Sequence, residues 1–125
     1  MPELTALVVD DSPAMRRQVC QALAELPGLL AREAGDGAEA WRLLAAGRFD
    51  ILLTDLNMPR LDGLKLVALV RQGRPRLDLP IVVITTESAG ADGRRALELG
   101  ADAWLEKPVD PRRLIEVVQA LLRRG

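Results

Sequence analysis

The chain switches between strand-like and helix-like hydrophobic patterns five times, and this alternation limits its possible folds more than any other feature. Ala6–Asp10, Ile51–Asp55 and Pro80–Thr85 are short, nearly continuous apolar runs, as expected of strands buried on both faces. Weaker strands are expected at Leu29–Ala34 and Ala103–Glu106. Between them lie segments of helical period. The first starts with Ser12 as cap and Pro13 at the first helical position, and its apolar stripe of Met15, Val19, Ala22, Leu23 and Leu26 runs to Pro27-Gly28. Further helices are expected at Ala38–Ala46 with Trp41 and Leu44 inward, Leu64–Arg71, Ala91–Leu99 and Pro111–Arg123. Gly100 is placed as a left-handed cap after the fourth.

Buried strands alternating with helices imply a parallel sheet covered on both faces, because parallel strands require crossovers. The fold expected is a doubly wound α/β sandwich with five parallel strands in the order 2-1-3-4-5 and five helices. In that order strands 1 and 3 are neighbours, and ligands bind beyond their carboxyl ends, where the order reverses. With 125 residues and neither linker nor repeat, residues 1–125 read as one domain.

Strand 1 ends in Asp10-Asp11 and strand 3 in Asp55, so three carboxylates should meet at that edge. Such a cluster is unfavourable without a cation. The chain has no histidine, and Cys20 is its single cysteine, expected as a small apolar residue on a helix. The cation should therefore be a hard one held by oxygen. Mg²⁺ fits best, with a backbone carbonyl near Asn57 as a further ligand. Asp10 and Asp11 as mere helix caps is the weaker reading, since Ser12 already offers the cap. Thr85 ends strand 4 and Lys107 follows strand 5, which places a hydroxyl and an ammonium opposite the acids, as in a phosphoryl-binding site. Lys65 and Lys107 are the only lysines among 17 basic residues, so a compact point charge is wanted at position 107 rather than a planar fork.

The same composition excludes other classes. Without histidine there is no Ser-His-Asp or Cys-His catalysis. A net charge of -1 with no basic stripe argues against nucleic-acid binding. No apolar run approaches the length of a membrane span, and a soluble cytoplasmic protein is expected.

Val8-Val-Asp10-Asp11-Ser12, Leu53-Thr-Asp55-Leu-Asn-Met-Pro59, Thr85-Thr86-Glu87 and Lys107-Pro108 together resemble the signature of receiver domains of two-component response regulators. The resemblance covers nearly the whole chain and is most similar to chemotaxis-type single-domain regulators, which share the flavodoxin-like strand order. It implies that Asp55 is the phosphoacceptor, that Asp10 and Asp11 hold Mg²⁺, and that Thr85 and Lys107 contact phosphoryl oxygens. It implies a signalling switch rather than an enzyme, with self-phosphorylation and self-dephosphorylation chemistry. The phosphodonor would be a sensor histidine kinase, a phosphotransfer protein or a small phosphodonor. An unidentified downstream protein would read the helix 4–strand 5–helix 5 face of a monomer or weak dimer. Asn57 and Glu87 occupy positions thought to tune dephosphorylation. Trp104 departs from the family's usual Tyr or Phe, and either caps the core or serves the switch with Thr85.

Three rivals remain. Gly35-Asp-Gly37-Ala-Glu-Ala40 matches a dinucleotide-binding pattern, but the preceding strand carries Arg32 and Glu33 and reads as an edge. A haloacid-type phosphatase needs a second acid two residues after its nucleophile, where this chain has Asn57. A degenerate receiver used only for docking would not need all five key side chains.

Overall fold

The computed structural model describes residues 3–56, 58, 62–72, 78–86 and 90–124. The elements alternate as β1 (Leu4–Val9), α1 (Pro13–Leu23), β2 (Leu29–Ala34), α2 (Gly37–Ala46), β3 (Ile51–Asp55), α3 (Gly63–Arg71), β4 (Ile81–Thr86), α4 (Gly90–Leu99), β5 (Ala103–Lys107) and α5 (Pro111–Arg124). All four strand pairings are parallel, as the alternation of patterns implies, and the order is β2-β1-β3-β4-β5, the one expected of a five-stranded doubly wound unit.

The period-two geometry of a strand divides the apolar runs between two core layers. Leu7, Val9, Leu52, Ile81 and Val83 point to the layer closed by Ala40 and Leu44 of α2, Leu66, Val67 and Val70 of α3, and Ala96 of α4. Ala6, Val8, Ile51, Leu53, Val82 and Ile84 point the other way, against Val19 and Leu23 of α1 and Leu114, Val118 and Leu121 of α5. The central strands β1 and β3 are therefore apolar at consecutive positions, because neither face meets water. β2 lies at the edge, as Arg32 and Glu33 suggested, and only its two ends are buried.

The helix boundaries follow local chemistry. Ser12 Oγ accepts from Met15 N at 3.3 Å, and Pro13 fills the first turn. The helix does not continue to Leu26; it ends at Leu23, and Leu26 N bonds the Leu23 carbonyl in the exit turn. Pro27 disfavours helical geometry at the residue before it. Gly28, at φ 81°, then turns the chain so that its carbonyl accepts from Leu4 N at 2.8 Å. Leu26 remains buried, so the apolar stripe outlasts the helix. Asp36 and Asp62 cap α2 and α3, which start at Gly37 and Gly63, each one residue before the expected start. Leu44 is fully inside, whereas Trp41 is half-buried against the same layer. Gly100, at φ 118°, closes α4 with Gly100 N on Leu97 O and Ala101 N on Ala96 O, the paired bonds of a left-handed cap. Cys20 is a half-buried free thiol on α1, packed against the α1/α5 layer.

Two boundaries matter for the site. β4 runs one residue past Thr85, and Lys107 is the last residue of β5 rather than the first after it, because Thr86 and Lys107 still pair across the sheet.

Candidate functional site

At the carboxyl end of the sheet, β1 and β3 deliver Asp10, Asp11 and Asp55 to one place. One oxygen from each lies within 4.8 Å of the other two. Asp10 and Asp55 are buried and Asp11 is exposed, so the cluster has a dry floor and a wet mouth. Backbone amides hold the two buried acids: Ser12 N donates to Asp10 Oδ1 at 2.9 Å, and Leu56 N donates to Asp55 Oδ1 at 2.7 Å. Thr54 Oγ1 donates to the Asp55 carbonyl at 2.8 Å. α3 closes against this turn through Gly63, whose N–H donates to Leu56 O at 3.0 Å. A Cβ at position 63 would overlap the Asp55 carbonyl and stand 2.7 Å from Leu56 Cα. No pattern in the sequence distinguishes this glycine from any other helix-start glycine.

Lys107 reaches in from β5. Its Nζ lies 2.8 Å from Asp10 Oδ2 and 3.3 Å from Asp55 Oδ2. Burial alone would push the ammonium's pKa down, but the hydrogen bond to Asp10 and the charge of Asp55 outweigh it and raise the pKa above its ordinary value. A cis peptide joins Lys107 to Pro108. Thr85 is fully buried, and its Oγ1 has no hydrogen-bond partner among the described residues. Thr85 and Trp104 share one face of the sheet, since Trp104 pairs with Val83 and Glu106 with Thr85. The Trp104 Nε1–H is likewise buried without a partner, and the indole sits on Gly93 of α4. Asn57 and Glu87 lie outside the described residues.

Among the described residues one ammonium faces three carboxylates, which leaves the pocket short of positive charge. The donors are oxygen throughout, as a hard cation requires. A buried hydroxyl with no partner nearby is a further group in want of an acceptor, and phosphoryl oxygens would supply one. The residues present therefore fit Mg²⁺ and a phosphoryl group together.

The glycine-rich turn behaves differently. Asp36 Oδ1 accepts from Glu39 N at 2.8 Å, and Glu39 Oε1 accepts from Gly35 N at 2.7 Å. A dinucleotide pyrophosphate arriving there would meet two carboxylates at the start of α2, beside an edge strand, so the motif is a helix start.

Comparison with known proteins agrees with this geometry. The sequence profile of the Response regulator receiver domain matches residues 6–119. The chain is similar to a chemotaxis protein CheY homolog of Campylobacter jejuni, with 40% identity over 120 residues that span 95% of this chain and 92% of the relative. It is also similar to the chemotaxis protein CheY1 of Helicobacter pylori, at 40% identity over 117 residues, 93% of this chain and 94% of that one. Among solved structures, Vibrio cholerae chemotaxis protein CheY4 superposes with a TM-score of 0.85 at 33% identity, over 95% of this chain and 98% of that one. Receiver domains are signalling switches that accept a phosphoryl group on an aspartate from histidine kinases or phosphotransfer proteins, and they bind Mg²⁺ through acidic residues. By profile, by relatives and by fold, the chain belongs to the receiver domain family of two-component response regulators.

Proposed function

We propose that Asp55 is the phosphoacceptor of this receiver and that Asp10, Asp11 and Asp55, with the backbone carbonyl of Asn57, hold Mg²⁺. The observation that carries this reading is the convergence of three carboxylates within 4.8 Å, with the Lys107 ammonium already against two of them. An Asp55 carboxylate oxygen attacks phosphorus in line, the bond from phosphorus to the donor breaks, and an aspartyl phosphate results. Bound Mg²⁺ would supply positive charge to phosphoryl oxygens. Lys107 supplies a second positive charge from the protein itself. Thr85 Oγ1, unpaired and buried, donates to the phosphoryl group once it is in place.

The donor is a phosphohistidine on a sensor kinase or phosphotransfer protein, or a small phosphodonor such as acetyl phosphate. The protein works as a cytoplasmic switch with its own phosphorylation and dephosphorylation chemistry rather than as a turnover enzyme. Asn57 and Glu87 set the rate of phosphoryl loss, which is quick; a phosphoryl half-life of many hours would contradict this. A shift of Thr85 toward Asp55 is passed to Trp104 on the same sheet face and from there to α4. A downstream protein then reads the α4–β5–α5 face of a monomeric or weakly dimeric single domain spanning residues 1–125.

Intact mass after incubation with acetyl phosphate and Mg²⁺, beside Asp55→Asn, tests the reading. A single phosphoryl adduct that requires Mg²⁺ and is absent from the variant is expected. An adduct that persists in Asp55→Asn would move the acceptor elsewhere. No adduct from folded, Mg²⁺-binding protein, with kinase or with acetyl phosphate, would leave a docking module.

A further inference from the structure

Arg16 lies outside the cluster of acids, yet it reaches the peptide that joins two of them. Its Nη1 donates to the Asp10 carbonyl at 2.6 Å, and its Nε donates to Glu33 Oε1 on β2 at 2.9 Å. β1 ends at Val9, so the Asp10 carbonyl lies past the last paired residue of the strand. A peptide unit is planar, so holding this oxygen fixes the plane between Asp10 and Asp11. Both carboxylates that project from that plane belong to the acid cluster. Ser12 N and Lys107 Nζ hold the Asp10 side chain, and Arg16 holds its main chain.

We infer that Arg16 is a positioning residue that sets the Asp10–Asp11 peptide for Mg²⁺ binding, with Glu33 as its anchor; this rests on reading the acid cluster as the Mg²⁺ site. The planar fork suits the task, because two nitrogens face two acceptors at once, one just past the end of β1 and one on β2. The Arg16 side chain is 19% exposed and that of Glu33 is 47% exposed. Glu33 can therefore be altered at the surface without opening the core.

The sign of the effect separates positioning from simple charge. A guanidinium beside an anionic metal site repels Mg²⁺, so removing its charge alone would tighten binding. Removing a positioning contact loosens it, and groups that orient metal ligands typically contribute about 10–100-fold in affinity.

Isothermal titration of the whole protein with MgCl₂ reads the difference, with thermal unfolding in Mg²⁺-free buffer as the control for folding. Arg16→Gln is expected to raise the Mg²⁺ Kd roughly tenfold. Arg16→Lys, which keeps the charge but cannot span both acceptors, should weaken binding in the same direction. Glu33→Asp keeps its charge, is too short for the 2.9 Å contact, and should weaken binding roughly two- to fivefold. If Arg16→Gln does not fold, Glu33→Asp still decides the matter. An unchanged or lower Kd in Arg16→Gln, a wild-type Kd in Arg16→Lys, or a wild-type Kd in Glu33→Asp overturns the inference. Absence of Mg²⁺ binding by the wild type, or binding unaffected by Asp11→Asn, would instead overturn the reading of the metal site and this inference with it.

Discussion

The indole of Trp104 is seated directly on Gly93, so that a Cβ at position 93 would overlap Cδ2 and Cε2 of the ring and stand 2.6 Å from Nε1. The pair joins β5 to α4 on the sheet face that also carries Thr85. A large aromatic fits at this point because the facing helix gives up a side chain.

Gly93→Ala tests the fit. Alanine is the better helix former by about 1 kcal/mol, and on propensity alone the change would stabilise α4. Overlap with the ring should reverse the sign and destabilise the protein by roughly 1–3 kcal/mol. In a Trp104→Ala background the same change should become neutral or stabilising. Urea denaturation of the four proteins of this double-mutant cycle measures the coupling.

Thr85 presents the opposite case. Its hydroxyl is buried and makes no hydrogen bond to any described residue. Thr85→Val keeps the shape and removes a dehydrated polar group, so it should stabilise the unphosphorylated protein by about 1 kcal/mol. The same variant should lose any spectroscopic change that accompanies phosphorylation, because no donor is left to move. Denaturant titration and Trp fluorescence with acetyl phosphate measure the two effects.

The Lys107 ammonium has its pKa raised in the folded state: burial pushes it down, but the hydrogen bond to Asp10 and the charge of Asp55 push it up further. A raised folded-state pKa means that the native protein holds the proton more tightly than the unfolded chain. This stabilisation is complete below the unfolded pKa of about 10.4 and disappears as pH rises through the higher folded value. Without Mg²⁺, Lys107→Met should therefore unfold at a lower temperature than wild type near neutral pH. The gap should close only above about pH 10.4. Melting curves of both proteins across alkaline pH check this, and a gap already closed by about pH 8 would contradict it.

At the amino ends of β4 and β5, opposite the end that carries the site residues, Arg71 fastens α3 to the start of β5. It donates to Gly100 O at 2.8 Å, Leu79 O at 2.6 Å and Asp102 Oδ2 at 2.9 Å, while Asp102 Oδ2 also accepts from Ile81 N at 2.8 Å. Arg71→Met should cost roughly 2–3 kcal/mol, since it removes the donor to part-buried carbonyls and the charge that faces the Asp102 carboxylate. Phosphorylation of Asp55 in the folded variant should be unaffected. Chemical denaturation and intact mass separate the two readouts.

Much of the fold and the site is legible in the residues themselves, for local reasons. Ile51–Leu53 is apolar at successive positions because both faces of β3 are buried, and Arg32 and Glu33 betray β2 as an edge. Asp10, Asp11, Asp55, Thr85 and Lys107 are visible because each stands at or beside a strand's carboxyl end. Leu26 shows where this reading fails: its hydrophobicity extends the helical stripe, but Pro27 and Gly28 turn the backbone first.

The sequence by itself determined the alternation of strands and helices, the covering of the sheet on both faces and the placing of the acids and Lys107 at strand ends, because periodicity and strand-end position are written along the backbone; the strand order followed from the precedent of five-stranded doubly wound folds. Only the tertiary structure decided that Gly63 lies on the Asp55 turn, that Gly93 receives Trp104, that Arg16 holds the Asp10 carbonyl and that Arg71 binds across to Gly100 and Asp102. These contacts depend on close approach and side-chain direction, whether the partners lie 6 residues apart, as Arg16 and Asp10 do, or 31, as Arg71 and Asp102 do. Neither leaves a periodic trace, since a glycine that makes room and an arginine that reaches a carbonyl have the same local pattern as those that do not.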